Sequence, residues 1–583
     1  MNLSAATAST PHPPSVLVIA RKEDTNLRDC IESCLQFSDD VVVLDASAND
    51  RTAQITEGNA AVRVVRRACD SSDKQLNYGL HEITYGHPWL YLCYANERVP
   101  AALAQELVAR SSEADSSDAA YRVRGRTYFG GRSIQRAADF PQWSIRLVQP
   151  HLANFQGGGA SPVVRGTVGD LREHFERELL SSGFAQWLRT RNDQSSTEAQ
   201  RRANRGGAVR GRAMWTFIRD YIFRGGFLNG GAGFHYCAMN AFCGYWVDIK
   251  IKELAHPWND QNEQLAAQLL SGAGKSGTQN MQAPPLVDVM IPTLNEAHHI
   301  KEVVANCLPL GPVHVLDSRS TDGTQELARR AGATVIEHTF VNYAQQKNWG
   351  LENLPLTGQW VLIIDADERV TPQLQKEVLA KLSSGATING YYINRMLLFM
   401  GKAVRHGGLY PSWNLRLFRR GKASYENRAV HEHVICEGQT AFLESDMLHI
   451  RRESIWQFLD KHIRYAELES DEWIKARTGA GGGAPSQRLF RHALRYRQWL
   501  RRNMWPRLPF RPLSRWGYIY IVRLGFLDGV AGWHLAWLMA CYEYMISLMY
   551  RHKLAALTQQ AQAPRAGSNA TAAKSPSAKV DTA

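Results

Sequence analysis

The sequence contains one unit twice. "VVVLDASANDRT" (41–52) aligns with "VHVLDSRSTDGT" (313–324) at an offset of 272, "QLNYGL" (75–80) with "QKNWGL" (346–351) at 271, and "PQWSIRLV" (141–148) with "PSWNLRLF" (411–418) at 270. Both copies close on a shared signature, "YIFRGGFLNGGAGFH" (221–235) and "YIVRLGFLDGVAGWH" (520–534). Matches that keep their order, with an offset that drifts by only two residues over the first three blocks, exclude coincidence, so the fold must be one large unit built in tandem. A length of 583 residues suits two cores better than one. Composition sets the boundaries. Residues 1–14 read as a disordered start, 15–254 as the first copy with its helical extension, 286–553 as the second, and 554–583 as a disordered tail rich in Ala, Ser and Gln. The Gly/Ser/Pro-rich break "SGAGKSGTQNMQAPP" puts a linker at 255–285.

The second copy opens in an α/β rhythm. "VDVMIPT" (287–293) suits a short buried strand, and "AHHIKEVVANCL" (297–308) has helical spacing. "VHVLD" (313–317), a helix over "TQELARRAG" and the strand "TVIEH" follow. "WVLIIDADE" (360–368) reads as a central strand with carboxylates at its C-terminal end. This alternation predicts a parallel sheet with right-handed crossovers, whose ligands bind beyond the carboxyl ends of the strands. Thr293, Asn295, Glu296, Asp317 and the pair Asp365/Asp367 all fall there. Asp-x-Asp leaving a strand turns two carboxylates to one side of the backbone. Hard oxygen ligands of that kind hold Mg2+ or Mn2+, with substrate phosphates completing the shell. Alone, the motif equally describes a solvated strand end or a helix cap.

In combination the motifs are specific. "IPTLNE" (291–296), "VLDSRSTDGT" (315–324), "YAQQKNWGL" (343–351) and "DADERV" (365–370) together resemble glycosyltransferase family 2. "GLYPSWNLRLFRRGKASYENRAVHEHV" (408–434) is similar to the branch holding lipopolysaccharide core glucosyltransferases, and the resemblance spans about 287–550. It implies an α/β chain of two tandem GT-A domains, Rossmann-like with a mostly parallel sheet, each followed by a helical, basic and aromatic extension. It implies an enzyme that moves a hexose, with inversion and with a divalent cation, from a nucleotide-sugar donor to a lipopolysaccharide inner-core or other lipid-linked acceptor. UDP-glucose is the first expectation for the donor. Carried over by position, the resemblance puts Thr293, Asn295 and Glu296 at the nucleotide and Asp317 at the nucleoside. Asp365 falls near ribose and diphosphate, and Asp367, with Asp365, on the cation (Mg2+ or Mn2+). Lys347 and Asn348 lie on a helix facing the same site, and either also suits a plain helix surface.

Inverting transfer needs a base on the face opposite the leaving diphosphate. Glu432, with His431 beside it in "AVHEHV" (429–434), is the candidate, unless those side chains only hold their loop. Arg405, His406 and Arg416 are candidate partners for diphosphate or acceptor phosphate, or surface side chains with packed stems. The first copy keeps the frame and loses this chemistry. Asp45 stands opposite Asp317 and Glu97 opposite Glu368, but Tyr94 and Asn96 replace Asp365 and Asp367. At an offset of 270, His431 and Glu432 face Ser161 and Pro162, and Arg405 faces Gln135. An amide lacks the charge that draws Mg2+ out of water. The first copy is therefore expected to be degenerate and inactive, with turnover-free binding of a sugar chain or metal-independent transfer as alternatives.

The net charge of +13 favours anionic partners. Arginines interleaved with Trp and Phe in "RRANRGGAVRGRAMW" (201–215) and "RLFRHALRYRQWLRRNMWPRLPFRPLSRW" (488–516) suit the headgroups of an anionic inner leaflet. The plainer reading is a solvated face beside a buried helical subdomain at 517–550. The lack of any nucleic-acid module argues against that partner. No run is apolar for the roughly 20 residues a spanning helix needs, and the start lacks a secretory pattern. Nine cysteines without a CxxC pair fit neither a disulfide framework nor a zinc site. A cytoplasmic protein, peripherally attached to the inner membrane, is expected. The rival class is a pair of sugar-binding or scaffold domains of envelope polysaccharide assembly, without turnover.

Overall fold

The computed structural model describes residues 12–20, 26–46, 51–56, 59–67, 72–113, 117–137, 142–156, 161–205, 212–271, 287–383, 387–426, 434–478 and 511–562. They divide into two compact units. The first comprises Met1–Ile251 and is completed by Ile463–Gly481 and Ser547–Ala583; the second comprises Lys252–His462 and Gly482–Ile546.

The first unit is built on a nine-stranded sheet. β1 (Ser15–Ala20), β2 (Val41–Asp45), β3 (Val62–Arg66) and β4 (Leu90–Tyr94) form a parallel block in the order β3-β2-β1-β4. β1 and β2 are buried at every residue, as a sheet covered on both faces requires. β5 (Glu97–Arg98), β6 (Asp118–Phe129), β7 (Arg132–Ile134), β8 (Gln142–Val148) and β9 (Thr167–Glu178) extend it in the order β4-β8-β6-β9-β5, with β7 on β6. β8 is antiparallel to both β4 and β6, whereas β6 and β9 run parallel. Side chains alternate between two cores: Val16, Val18, Val43, Tyr91 and Leu103 on one face, and Leu17, Ile19, Leu44, Leu76 and Leu92 on the other.

The second unit repeats this sheet strand for strand. β10 (Val287–Thr293), β11 (Val313–Asp317), β12 (Thr334–Glu337), β13 (Trp360–Ile363), β14 (Glu368–Val370), β15 (Ile388–Phe399), β16 (Lys402–Val404), β17 (Trp413–Arg419) and β18 (Gln439–Ile450) lie in the order β12-β11-β10-β13-β17-β15-β18-β14, with β16 on β15. The expected tandem of GT-A domains is thus the architecture found: a parallel, Rossmann-like block continued by a curling mixed sheet.

Structure intrudes on two spans read as unstructured. Within the expected linker 255–285, Trp258–Ser271 is a helix. Its Ala266, Leu265, Leu269 and Leu270 pack on Met396, Leu398, Leu448 and Ile450 of the second sheet. Asn262 locks it there, donating to Arg451 O (2.9 Å) and accepting from Gly401 N–H (2.8 Å). The helix Gly529–Gln562 also runs past residue 554, where the tail was expected to begin.

Each sheet is followed by the same elbow. Arg212–Ile218 passes through a π-helical turn, Arg219–Phe223, and a 3-10 turn, Gly226–Asn229, into the helix Gly230–Ala255. Arg511–Gly517, Tyr518–Val522, Gly525–Asp528 and Gly529–Gln562 do likewise in the second copy. The fold-back demands glycine at one point: a Cβ on Gly233 or Gly532 would lie 2.1 or 1.9 Å from the carbonyl oxygen of Gly226 or Gly525. Among the described residues no single helix is long and apolar enough to cross a membrane; only the pair Arg511–Val522 and Gly525–Thr558, bent by 74°, reaches that length and composition together.

Candidate active site

The loops after β10, β11 and β13 gather the acidic residues of the second unit. β10 and β11 are parallel neighbours, with Thr293 in register with the fully buried Asp317. Asp317 is saturated from within. Its Oδ2 accepts from Thr293 Oγ1 (3.0 Å) and Ser320 Oγ (2.6 Å), and its Oδ1 from Ser320 N–H (2.8 Å) and Gln325 Nε2 (2.7 Å). With all four lone-pair sites of the carboxylate filled, Asp317 ties two strand-end loops together, and a nucleoside could bond to it only by displacing one of those donors. Asn295, at φ 57°, donates its N–H to Ser320 Oγ (2.8 Å) and accepts from Thr321 N–H (2.9 Å). The Glu296 N–H donates to Thr324 Oγ1 (2.8 Å), which leaves its side chain outside this web.

β13 ends at Ile363, so Asp365 and Asp367 stand in the turn before β14, not on the strand itself, and they take different partners. Asp365 Oδ2 meets Arg416 Nη2 at 2.6 Å, and its Oδ1 lies 3.8 Å from Lys347 Nζ. Asp367 Oδ2 pairs with His449 Nε2 at 3.0 Å. Beside them the buried Glu368 takes Arg416 (3.0 Å), Arg395 (3.4 Å) and the Asp365 N–H (2.9 Å). Burial alone would raise the Asp365 carboxyl, but Arg416 and then Lys347 hold it well below the usual carboxylate range. Burial acts the same way on Asp367, and the adjacent His449 reverses it, so its net shift is also downward. Glu368 moves up because burial outweighs the pull of Arg416. Glu296 is pushed up to about 7, by burial first and then by Asp367, Asp322 and Asp365.

Two carboxylates are therefore held ionised with a third, reluctant one at their edge. Asp367 keeps 39% of its side chain exposed, and its Oδ1 has no hydrogen-bond partner among the described residues. A charged, uncommitted oxygen next to a second carboxylate fits a hard divalent cation, which Asp367 and Asp365 would hold.

The remaining candidates separate. Lys347 is almost buried and lies over the Tyr425 ring at 5.1 Å, in reach of Asp365. Asn348 is structural: its amide clamps the backbone of Tyr425 in both directions, at 2.8 and 2.7 Å. Arg416 joins the acids, whereas Arg405 and His406 belong to the elbow. Their N–H groups donate to Asp528 (3.2 and 2.9 Å), and His406 Nδ1 pairs with the same carboxylate at 2.9 Å. His431 and Glu432 fall in 427–433, outside the described residues. His449 escaped the sequence reading because it is 82 residues from Asp367 in a strand without a motif. Its signal is the register of β18 with β14, which sets His449 opposite Glu368.

The first unit fills the equivalent space differently. Arg146 and Glu97 persist as a buried pair at 2.8 Å. The Tyr94 ring lies under the Arg146 guanidinium at 4.7 Å, standing in for the carboxylate of Asp365. Where the second sheet sets His449 opposite Glu368, this one sets Arg177 opposite Glu97, and Arg177 bonds the same Oε1 at 3.0 and 2.9 Å. Asn96 turns to Glu178 O at 3.4 Å. The alignment also puts the buried Leu76 at the place of Lys347. Spacing gave no hint of one further grouping: Cys30 and Cys34 from one helix and Cys93 from β4 bring their sulfurs within 4.8 Å of one another in the core. Buried thiols of this kind also pack as small apolar groups.

Residues 288–445 match the family model "Glycosyl transferase family 2". With the fold and a series of glycosyltransferase relatives, this match makes the protein a glycosyltransferase of GT-A type, its family 2 domain lying in the second unit. Among those relatives, the lipopolysaccharide core biosynthesis glycosyltransferase LpsC of Rhizobium meliloti (strain 1021) is 28% identical over 190 residues, covering 31% of this chain and 70% of its own. An uncharacterized glycosyltransferase of Rickettsia felis (strain ATCC VR-1525 / URRWXCal2) is 27% identical over 201 residues, covering 32% and 70%. Among solved structures, the mannosyltransferase PcManGT from Pyrobaculum calidifontis, in complex with GDP-Man and Mn2+, is 17% identical over 50% of this chain and 99% of its own, with a TM-score of 0.29. Glucosyl-3-phosphoglycerate synthase from Mycobacterium tuberculosis, with Mn2+, UDP and phosphoglyceric acid, is 24% identical over 19% of this chain, which spans 43% of that one, with a TM-score of 0.17.

Proposed function

We propose that the second unit moves a hexose from a nucleotide-sugar donor, UDP-glucose first, to the inner core of lipopolysaccharide or another lipid-linked acceptor, with inversion, at the cytoplasmic face of the inner membrane. The observation that carries this reading is the ionised pair Asp365/Asp367, fixed by Arg416, Lys347 and His449 where the parallel strands end. A divalent cation held by the two carboxylates would offset the charge of a departing diphosphate. Arg416 sets the position of Asp365 and keeps it charged. Thr293, Asn295 and Glu296 line the first strand-end loop for the nucleotide, and Asp317 holds that loop in shape. Glu432, with His431 beside it, takes the proton of the acceptor hydroxyl. In sequence these two residues follow the strand Ala423–Tyr425, which Asn348 ties to the helix carrying Lys347. Arg405, exposed beside the elbow, is left to meet acceptor phosphate. The name of the LpsC relative supports the acceptor class. The first unit, with Tyr94, Asn96 and Arg177 at the matching places, is a non-catalytic partner in this scheme.

The test is a screen of nucleotide sugars against the whole protein with Mn2+ or Mg2+, read by protection from heat unfolding and by transfer to delipidated core oligosaccharide. Transfer that vanishes in Asp367→Asn and Glu432→Gln, with the fold intact, supports the reading. Sugar binding without turnover, indifferent to metal, would favour a scaffold.

A further inference from the structure

We propose that both elbows are membrane-inserting elements, each burying an apolar tip in one leaflet of an anionic bilayer. This deepens the reading of a membrane-borne acceptor and rests on it for the identity of the lipid surface.

The two copies supply an internal comparison. Met214, Ile222, Phe223, Phe227 and Leu228 in the first elbow align with Leu513, Ile521, Val522, Phe526 and Leu527 in the second. All ten are between 46% and 71% exposed. Phe223 has become Val522 and Met214 has become Leu513, so the side chains have drifted while their apolar character has not. Packing does not explain that, because these side chains face water. In the same two copies, Asp365 and Asp367 stand where the other has Tyr94 and Asn96. Large apolar groups retained at exposed, contiguous positions mark a surface that is covered when the protein works.

Charge identifies the cover. In the turn-bearing spans 212–229 and 511–528 the only acids are Asp220 and Asp528, both buried. Asp220 is paired with Arg219 (2.8 Å) and Arg224 (3.5 Å), and Asp528 with the Arg405–His406 segment. Counted over these spans, three arginines stand against one acid in each, Arg212, Arg219 and Arg224 in the first and Arg511, Arg515 and Arg523 in the second, so the net charge of both is positive. Trp215 is 55% exposed, Tyr518 40% and Trp533 39%. Arginine and amphipathic rings around an apolar tip match the headgroup level of an anionic membrane. The turn explains why the segment enters without crossing. Arg511–Val522 is too short to span the roughly 30 Å hydrocarbon layer, and the chain leaves it at 74°. The Gly532–Gly525 approach makes that turn rigid, so the tip is presented and does not have to fold on contact.

The test uses the full chain with vesicles of phosphatidylcholine alone or with phosphatidylglycerol. Binding is expected to the anionic vesicles, to weaken with salt, and to bring quenching of tryptophan fluorescence by brominated lipid. Ile222→Glu/Phe223→Glu and Ile521→Glu/Val522→Glu should each weaken vesicle binding at least about tenfold. Their heat unfolding should stay unchanged, since the replaced side chains already face water. Transfer to delipidated core oligosaccharide should also be unchanged in both variants. That separates the two readings: vesicle binding without any transfer sinks the proposed activity and leaves the elbows standing. Undiminished vesicle binding in both variants, no quenching, or variants that dissolve a dimer in place of a lipid complex would overturn the proposal.

Discussion

Replacing Asp367 with asparagine should remove cation binding and leave the fold intact. The amide keeps the volume and can still bond His449, so what is lost is one negative charge. Its worth follows from Coulomb's law. A unit charge about 4 Å from a dication contributes about 2 kcal/mol in water and about 8 kcal/mol at the effective dielectric of a protein surface. Because Asp367 is 39% exposed, the lower figure is the safe floor. Mn2+ affinity should therefore fall by at least about 30-fold, since 1.4 kcal/mol is a factor of about ten. Calorimetric titration of the whole protein, supported by the Mn2+-induced rise in unfolding temperature, measures it directly. The first unit is the control. Asn96→Asp restores a carboxylate at the matching position, yet the Arg146 and Arg177 guanidinium groups on Glu97, and Tyr94 in place of an acid, should keep Mn2+ away. An Asp367→Asn protein within about threefold of the parent affinity, or an Asn96→Asp protein that gains an equal second site, would refute the argument.

Arg416→Met should destabilise the second unit by about 3 kcal/mol in urea unfolding, because it leaves the buried Glu368 only the longer contact to Arg395 (3.4 Å) and Asp365 only Lys347 at 3.8 Å. Adding Glu368→Gln should recover part of that loss. Arg146→Met should cost less in the first unit, where Arg177 still neutralises Glu97. Glu296 makes stability depend on pH: its folded carboxyl is raised to about 7, above the unfolded value near 4.5, so the folded site prefers the neutral form and loses stability as pH climbs from 4.5 through 7. Glu296→Gln should accordingly raise the unfolding temperature at pH 8 and leave it almost unchanged at pH 5. Gly532→Ala should destabilise the second elbow, since its Cβ would overlap the Gly525 carbonyl; limited proteolysis around residues 517–530 reads the loosening.

The parallel strands and their duplication could be read from the sequence because apolar runs of four to seven residues with turn signals between them leave few alternatives. The acids could be read too, since Asp317, Asp365 and Asp367 each follow a strand closely. What could not be read was their use. A carboxylate's partner is set by strands distant in sequence, so neither the filled lone pairs of Asp317 nor the His449–Asp367 pair has a local signature. The exchange of Lys347 for Leu76 lies in a run that otherwise differs only by Tyr78 for Trp349, so nothing local marks it as functional. The helix Trp258–Ser271 was hidden for a different reason: its apolar face is modest and makes sense only once the second sheet is there to receive it.

The make-up of the first unit bears on why a copy with Tyr94 and Asn96 in place of the aspartate pair is kept. Ile463–Gly481 and Ser547–Ala583 complete that unit, and both come from the other half of the gene. Glu467 binds Arg189 at 3.0 Å and Arg551 meets His235 at 3.0 Å, contacts that residues 1–251 cannot make by themselves. The first lobe is finished only once segments from well beyond its own copy have joined it. Cutting the chain near residue 251 would therefore leave the first lobe without Ile463–Gly481 and Ser547–Ala583. The first lobe thus borrows helices from the second copy, and it does so although Tyr94 and Asn96 stand where that copy has Asp365 and Asp367.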